Sequence, residues 1–151
     1  MAIQIPQVDV KTAPGFCLGL VFDGAGAFKK LRWAAPISNS QAVMTEMAGW
    51  VEFNGKIMLL NFAKGKSVMT PLLTKASFPK GYPRRGIINE PNQVSVGPDG
   101  LYWVGGATGI YRFDPLASDP ASTVNVVING LLVQVCIHSN HLRSTIRATF
   151  T

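Results

Sequence analysis

Five side chains between residues 82 and 111 have the chemistry to hold a polar polymer at a protein surface. Tyrosine and tryptophan rings stack on the apolar faces of sugar rings, and arginine forks onto phosphate or carboxylate groups. The phrase Pro-Lys-Gly-Tyr-Pro-Arg-Arg-Gly at 79–86 should form a loop that exposes its tyrosine and arginines. A merely solvated loop and a tryptophan buried in a core or interface both remain open as structural alternatives. The predicted ligand contacts are Tyr82, Arg84, Arg85, Trp103 and Tyr111.

The residue patterns of a catalytic or metal site are missing. Lys64-Gly65-Lys66-Ser67 ends like a phosphate-binding loop, but the glycine that must open that motif is replaced by Leu60. His138 and His141 have no third histidine, cysteine or adjacent carboxylate, so we predict no metal site. We also predict no cofactor and no enzymatic activity. A hydrolase whose paired carboxylates meet only in space stays open as an alternative.

The composition favours self-association over nucleic-acid binding. Apolar residues make up 47% of the 151 residues and charged residues only 15%, against about 25% charged in a typical domain. We therefore expect apolar surface to be covered by further copies of the chain. The formal net charge is +6, yet the basic residues are scattered and no basic helix or zinc-finger spacing accompanies them. We predict a solvated surface and no nucleic-acid partner.

Short strands dominate the sequence. Asn54-Gly55 predicts a hairpin between residues 49–53 and 56–62, and Gly97-Pro98-Asp99-Gly100 predicts a turn between 93–96 and 101–104. Pro71 should make the strand at 67–73 either an edge strand or a bent one. Further strands are predicted at 16–22, 27–33, 75–78, 109–113, 123–128, 131–137 and 142–150.

These patterns predict an all-β fold. It should be an antiparallel β-sandwich, jelly-roll-like in form, with residues 40–48 as its one candidate helix. Residues 1–14 should form an N-terminal arm and residues 15–151 a single β-sandwich domain.

The chain carries no recognisable export or membrane signal. Its first residues lack a basic segment followed by an apolar run, so we expect no signal peptide. The most apolar stretch, residues 124–137, is too short and interrupted to span a bilayer, which predicts no membrane insertion. Cys17 and Cys136 fit neither a disulfide framework nor a zinc site. We expect synthesis in a reducing cytoplasm.

Two phrases of the sequence resemble the head domains of phage tail fibres and receptor-binding proteins. Those heads carry a phrase of the form LP-x-GYRP, followed after a variable strand by a second phrase around Asp-Gly. Here the first phrase is FPKGYPR at 78–84, with the Arg-Pro order inverted, and the second is VSVGPDGL at 94–101. Residues 94–115 also resemble one blade phrase of a β-propeller, but a propeller needs several such repeats and only one is present.

The resemblance to phage heads implies a function, a location and partners. Such heads are jelly-roll-like sandwiches that assemble as trimers, so it implies a non-enzymatic virion protein that binds host cell-envelope saccharides as a homotrimer alongside other tail proteins. A capsid-decoration or tail component without receptor binding is the first alternative. An envelope polysaccharide-degrading hydrolase is the second.

Overall fold

The described part of the chain folds into two antiparallel sheets. The structure is a computed structural model that describes residues 11–16, 18–22, 29–49, 53–62 and 67–130. The first sheet contains β1 (Leu31–Ser38), β2 (Gln41–Glu46), β3 (Lys56–Asn61) and β4 (Val68–Leu73), in that order. The second contains β5 (Gln93–Val96), β6 (Tyr102–Gly106), β7 (Gly109–Phe113) and β8 (Asn125–Asn129). Two 3₁₀ helices, Lys75–Ser77 and Arg84–Ile88, lie in the connection between the sheets.

The predicted all-β antiparallel sandwich is confirmed. Every pair among the described strands joins neighbours in the chain, so each sheet is a simple meander. A jelly roll would instead pair strands that are distant in sequence. The jelly-roll-like connectivity is therefore not the arrangement of the described strands.

The core lies between the two sheets and draws on both. Ala35, Val43, Ile57 and Leu73 of the first sheet pack in one cluster with Val94, Val104, Tyr111 and Phe113 of the second. A hydrogen bond crosses the sandwich as well, because the Tyr102 hydroxyl donates to the Pro36 carbonyl oxygen over 2.5 Å. Burying each large side chain contributes roughly 1.5–3 kcal/mol, so this shared cluster is what holds the sheets together.

The candidate helix at 40–48 is wrong, because residues 41–46 form strand β2. Val43 points into the central core, whereas Met44 packs on the opposite face of the sheet with Met58 and Leu60. A strand that is apolar on both faces loses the period-2 alternation that would identify it. The second apolar cluster, on the outer face of the first sheet, thus explains the error.

The Asn54-Gly55 pair does not form the predicted tight hairpin. Strand β3 pairs with β2 on one edge, with Glu46 opposite Lys56, and with β4 on its other edge. Gly55 is buried, and its backbone N–H donates to the Ile88 carbonyl oxygen over 3.0 Å. A Cβ there would stand 2.5 Å from Pro91 Cδ and 2.8 Å from two carbonyl oxygens, so this glycine serves a close backbone approach.

Residues 75–78 also differ from their predicted strand. Lys75–Ser77 is a 3₁₀ helix with a capping box, in which Thr74 accepts from the Ala76 N–H and the Ser77 hydroxyl accepts from the Thr74 N–H. These local side-chain bonds satisfy backbone groups that a strand would pair with a neighbour. By contrast β4, which contains Pro71, has β3 as its one partner among the described residues, as the proline predicts.

Several predictions concern residues outside the described ranges. They are most of the N-terminal arm, the strands at 131–137 and 142–150, both cysteines, and His138 and His141. The strands predicted at 16–22 and 27–33 lie partly outside them.

Candidate functional site

The two arginines of the predicted ligand loop bind the protein's own backbone. Arg84 donates from Nε to the Val124 carbonyl oxygen at 2.8 Å and from Nη2 to the Ser122 carbonyl oxygen at 2.6 Å. Arg85 donates from Nη2 to the Phe78 carbonyl oxygen at 2.7 Å. Charge-assisted bonds of this kind rank among the stronger hydrogen bonds. The guanidinium groups therefore tie the loop to the sandwich.

Tyr82 is the most exposed aromatic side chain of that loop. Its residue is 50% exposed, its hydroxyl donates to the side-chain oxygen of Asn129, and its ring centroid lies 6.4 Å from that of Phe53. The adjoining Arg84–Ile88 helix buries Gly86 over the core. The loop thus acts as a cover for the core, with one tyrosine at its surface.

Tyr111 does not lie at the surface, so its predicted role as a sugar-stacking residue is wrong. It is completely buried, and its hydroxyl lies 3.1 Å from Thr108 Oγ1. Burial raises the pKa of this phenol, and the hydrogen bond between Thr108 and Tyr111 opposes that shift. Strand alternation accounts for the placement, since Tyr111 and Phe113 share the inward face of β7 and Arg112 takes the other.

Trp103 lies on the outer face of the second sheet and is partly exposed. Strand β6 turns the neighbouring Tyr102 inward and leaves it only 6% exposed. The indole Nε1 of Trp103 donates to Asp99 Oδ1 over 3.0 Å. This contact passes directly over Gly97, where a Cβ would stand only 2.1 Å from Nε1. The Gly97–Gly100 turn therefore has a glycine at the point where the indole approaches the backbone.

A salt bridge completes the cluster around this tryptophan. Arg112 Nη1 lies 2.7 Å from Asp99 Oδ2, and Arg112 Cζ lies 5.8 Å from the Trp103 ring centroid. Asp99 Oδ1 also accepts from the Leu101 N–H over 3.1 Å. The hydrogen bond from Trp103 is the largest cause that holds the pKa of the Asp99 carboxyl below its usual value. Desolvation opposes it, and the hydrogen bonds from Leu101 and Arg112 lower the pKa further.

Strand register places four side chains in one line across this face. Ser95 is opposite Trp103, Trp103 is opposite Arg112, and Arg112 is opposite Asn125. Directly paired residues point to the same side of a sheet, so these four form an outer row that crosses all four strands. At about 4.8 Å per strand spacing, the outer row is roughly 14 Å long. That length suits an extended ligand of a few ring units.

A second line lies beside the outer row. Gln93, Gly105, Ile110 and Ile128 are paired in the same manner. Gly105 has no atom within 4 Å of the position a Cβ would take. It therefore leaves an open recess on this face of the sheet, two residues along the strand from Trp103.

The predicted contacts divide between two places. Trp103 lies in the outer row, whereas Tyr82 and the two arginines belong to the loop that covers the core. The sequence reasoning missed Asp99, Ser95, Arg112 and Asn125 as companions of Trp103. Strand alternation and the Gly-Pro-Asp-Gly turn could have indicated these residues from the sequence, because the turn sets the register between β5 and β6.

The buried acid Glu46 is a second polar feature of the described chain. Its Oε1 accepts from the Lys29 N–H over 3.1 Å, and its Oε2 lies 3.7 Å from Lys56 Nζ. Glu46 and Lys56 are cross-strand partners at the end of β2 and β3. An opposite-charge pair in this position stabilises the sheet, so we assign Glu46 a structural role.

Within the described ranges, no three His, Cys, Asp or Glu side chains come together as a metal site would require. The same ranges contain no helix that is both long and apolar enough to cross a membrane.

The fold and the outer row define a class, an antiparallel β-sandwich with an aromatic and polar line on one outer face. The chain matches no protein-family model, and no curated protein or solved structure is significantly similar to it.

Proposed function

We propose that this protein is a non-catalytic saccharide-binding head of a virion tail or fibre. The observation that carries the proposal is the outer row, in which a partly exposed Trp103 stands between Ser95 and Arg112. An indole face offers apolar contact to a sugar ring, and flanking hydroxyl, guanidinium and amide groups can bond its hydroxyls. Sites of this kind combine apolar contact with a few well-placed polar groups.

The setting in a virion is supported by the two phrases shared with phage heads. The first, at 78–84, forms the loop that covers the core and leads into the Arg84–Ile88 helix. The second, at 94–101, forms the β5 strand and the turn that carries Asp99. The second phrase thus builds one end of the outer row, and the first stabilises the sandwich beneath it.

Assembly as a homotrimer is part of the proposal and draws on exposed apolar residues. Phe16 is 75% exposed, and Leu18, Leu20 and Val21 are also open to solvent. Runs of this kind on a soluble domain commonly mark contacts with other chains. Sedimentation of a stable monomer of about 16 kDa would contradict the trimer while leaving saccharide binding to be judged separately.

The binding claim is tested with the purified chain on an array of bacterial envelope saccharides. Trp103→Ala should lose binding, because it removes the ring on which a sugar stacks. Trp33→Ala is the matched control, since Trp33 is 49% exposed but lies on the other sheet. A folded Trp103→Ala protein that binds as well as the Trp33→Ala protein would contradict the proposal.

A structural virion component without receptor binding is the second candidate. The same four exposed side chains, Phe16, Leu18, Leu20 and Val21, favour it, because self-association alone would account for them. Electron microscopy distinguishes the two: a labelled chain on a capsid or tube wall favours the structural role, and one at the fibre tip favours receptor binding.

A further inference from the structure

The carboxylate of Asp99, which lies beside the outer row, is almost fully occupied by donors from the same face of the sheet. Asp99 Oδ1 accepts two hydrogen bonds, from the Leu101 N–H and Trp103 Nε1, and Oδ2 accepts one from Arg112. An ionised carboxylate has about four lone-pair sites. One acceptor site therefore remains, on Oδ2, beside the guanidinium group.

The Nε–Nη2 edge of Arg112 is not available as a fork for an anion. Its Nη1 is engaged by Asp99, and its Nε is buried without a hydrogen-bond partner. Bidentate recognition of a carboxylate or phosphate uses two adjacent N–H groups. With Nε inaccessible, the Nε–Nη2 edge cannot supply them, and the Asp99 charge 2.7 Å away offsets the positive charge.

Arg84 and Arg85, the two arginines that the sequence predicts to bind anions, are engaged as well. Arg84 and Arg85 direct their guanidinium groups to backbone carbonyls of residues 122, 124 and 78. The side chains that suggested an anionic ligand from the sequence thus have structural partners instead.

We infer that the outer row selects a neutral sugar by two adjacent ring hydroxyls, one donating to Asp99 and one accepting from Arg112, while the ring stacks on Trp103. A hydroxyl both donates and accepts, so neighbouring hydroxyls match a carboxylate and a guanidinium held side by side. Gly105 leaves room for the part of the ring that extends past the indole. This inference rests on the proposed saccharide binding and adds the class of sugar.

The inference is tested on the full chain with mannan and dextran as neutral probes and polygalacturonate as the anionic probe. We expect wild-type protein to bind a neutral probe with little change in affinity as salt rises, because screening weakens charge attraction far more than hydrogen bonds. Asp99→Asn should weaken that binding by roughly tenfold or more, since hydrogen bonds to a charged group are among the strongest. The same substitution releases Arg112 from its partner charge and should raise binding to polygalacturonate.

Asp119→Asn is the matched control. Asp119 likewise accepts from a backbone N–H two residues on, in a loop outside the outer row. It removes the same charge and should leave neutral binding unchanged. Gly105→Val, which fills the recess, is the second variant and should also weaken neutral binding.

Each outcome decides between the two claims. Wild-type binding to polygalacturonate alone, lost at high salt, would overturn the neutral-sugar inference and leave saccharide binding standing. Equal behaviour of the Asp99→Asn and Asp119→Asn proteins would overturn it as well. Binding of no saccharide would overturn both claims, and altered sedimentation of Asp99→Asn would identify the outer row as a contact between copies of the chain.

Discussion

Substitution of Gly86 by alanine should destabilise the sandwich, because Gly86 lies against the buried end of Tyr111. A Cβ at this position would stand 1.8 Å from Tyr111 Oη, 2.6 Å from Tyr111 Cζ and 2.8 Å from Thr108 Oγ1. Gly86 is not among the residues with positive φ, so alanine causes no backbone strain there. The expected effect is therefore steric alone.

The size of the effect follows from what can move. Tyr111 is 0% exposed within the core shared by both sheets, and its hydroxyl is in contact with Thr108. Forcing extra volume into a packed core costs about 1–3 kcal/mol. Alanine has less conformational freedom than glycine in the unfolded chain, and this offsets only about 0.4–1 kcal/mol of that cost. We expect a net loss of about 1–2 kcal/mol in the free energy of unfolding.

A double-mutant cycle with Tyr111→Phe isolates the contact. Removing the hydroxyl deletes the atom nearest to the new Cβ, so Gly86→Ala should cost less in the Tyr111→Phe background, with a coupling of about 1 kcal/mol. The free energy of unfolding is measured by urea titration for the wild type, the two single variants and the double variant. Gly105→Ala is the control, because its Cβ would meet open space and should not destabilise. Strictly additive effects, or a Gly86→Ala protein as stable as wild type, would refute the reasoning.

Three further predictions concern other parts of the chain. Arg84→Ala loses two hydrogen bonds to backbone carbonyls and should lower the free energy of unfolding by about 1–3 kcal/mol. Arg84→Lys should recover little of this loss. An unchanged midpoint of urea unfolding would show that these bonds do not stabilise the loop. Gly100 has φ of 76°, so Gly100→Ala should cost about 1 kcal/mol and Gly100→Asn less; equal stability of the two variants would contradict this. Burial raises the pKa of Tyr102 and of Tyr111 above 10.0, so their contribution to stability is complete below pH 10 and is lost as pH rises through the folded-state pKa values. Tyrosinate absorbance and circular dichroism should therefore change together in alkali, and ionisation of both phenols near pH 10 in a folded protein would contradict the assignment.

Turn chemistry made much of the second sheet predictable from the sequence. Gly97-Pro98-Asp99-Gly100 permits a reversal that few other sequences allow, and strands β5 and β6 formed on either side of it as predicted. The strand at 109–113 was predicted with its observed bounds. The sequence was enough to predict these strands because the local pattern and the tertiary packing favour the same structure.

Packing overrode local pattern elsewhere. The Asn54-Gly55 pair is a strong hairpin signal, yet the contact of Gly55 with the Ile88 and Glu46 carbonyls decided its conformation. Residues 41–46 resembled a helix because both faces of β2 are covered, by the central core and by Met58 and Leu60. No local period reveals that a second layer lies on the outer face of a sheet.

The sequence by itself determined the all-β class, the β5–β6 hairpin and the outward or inward alternation of Tyr102 and Trp103, because backbone propensity and strand period act over a few residues. Only the tertiary structure decided which aromatic residues lie on an outer face and which lie in the core. Tyr111 is buried because the loop at Gly86 covers it. Arg84 and Arg85 are engaged because the fold brings the carbonyl oxygens of residues 122, 124 and 78 within reach of their guanidinium groups. The outer row exists because register across four strands aligns Ser95, Trp103, Arg112 and Asn125. Such alignment depends on pairing between segments far apart in the chain, which residue types and spacing alone do not specify.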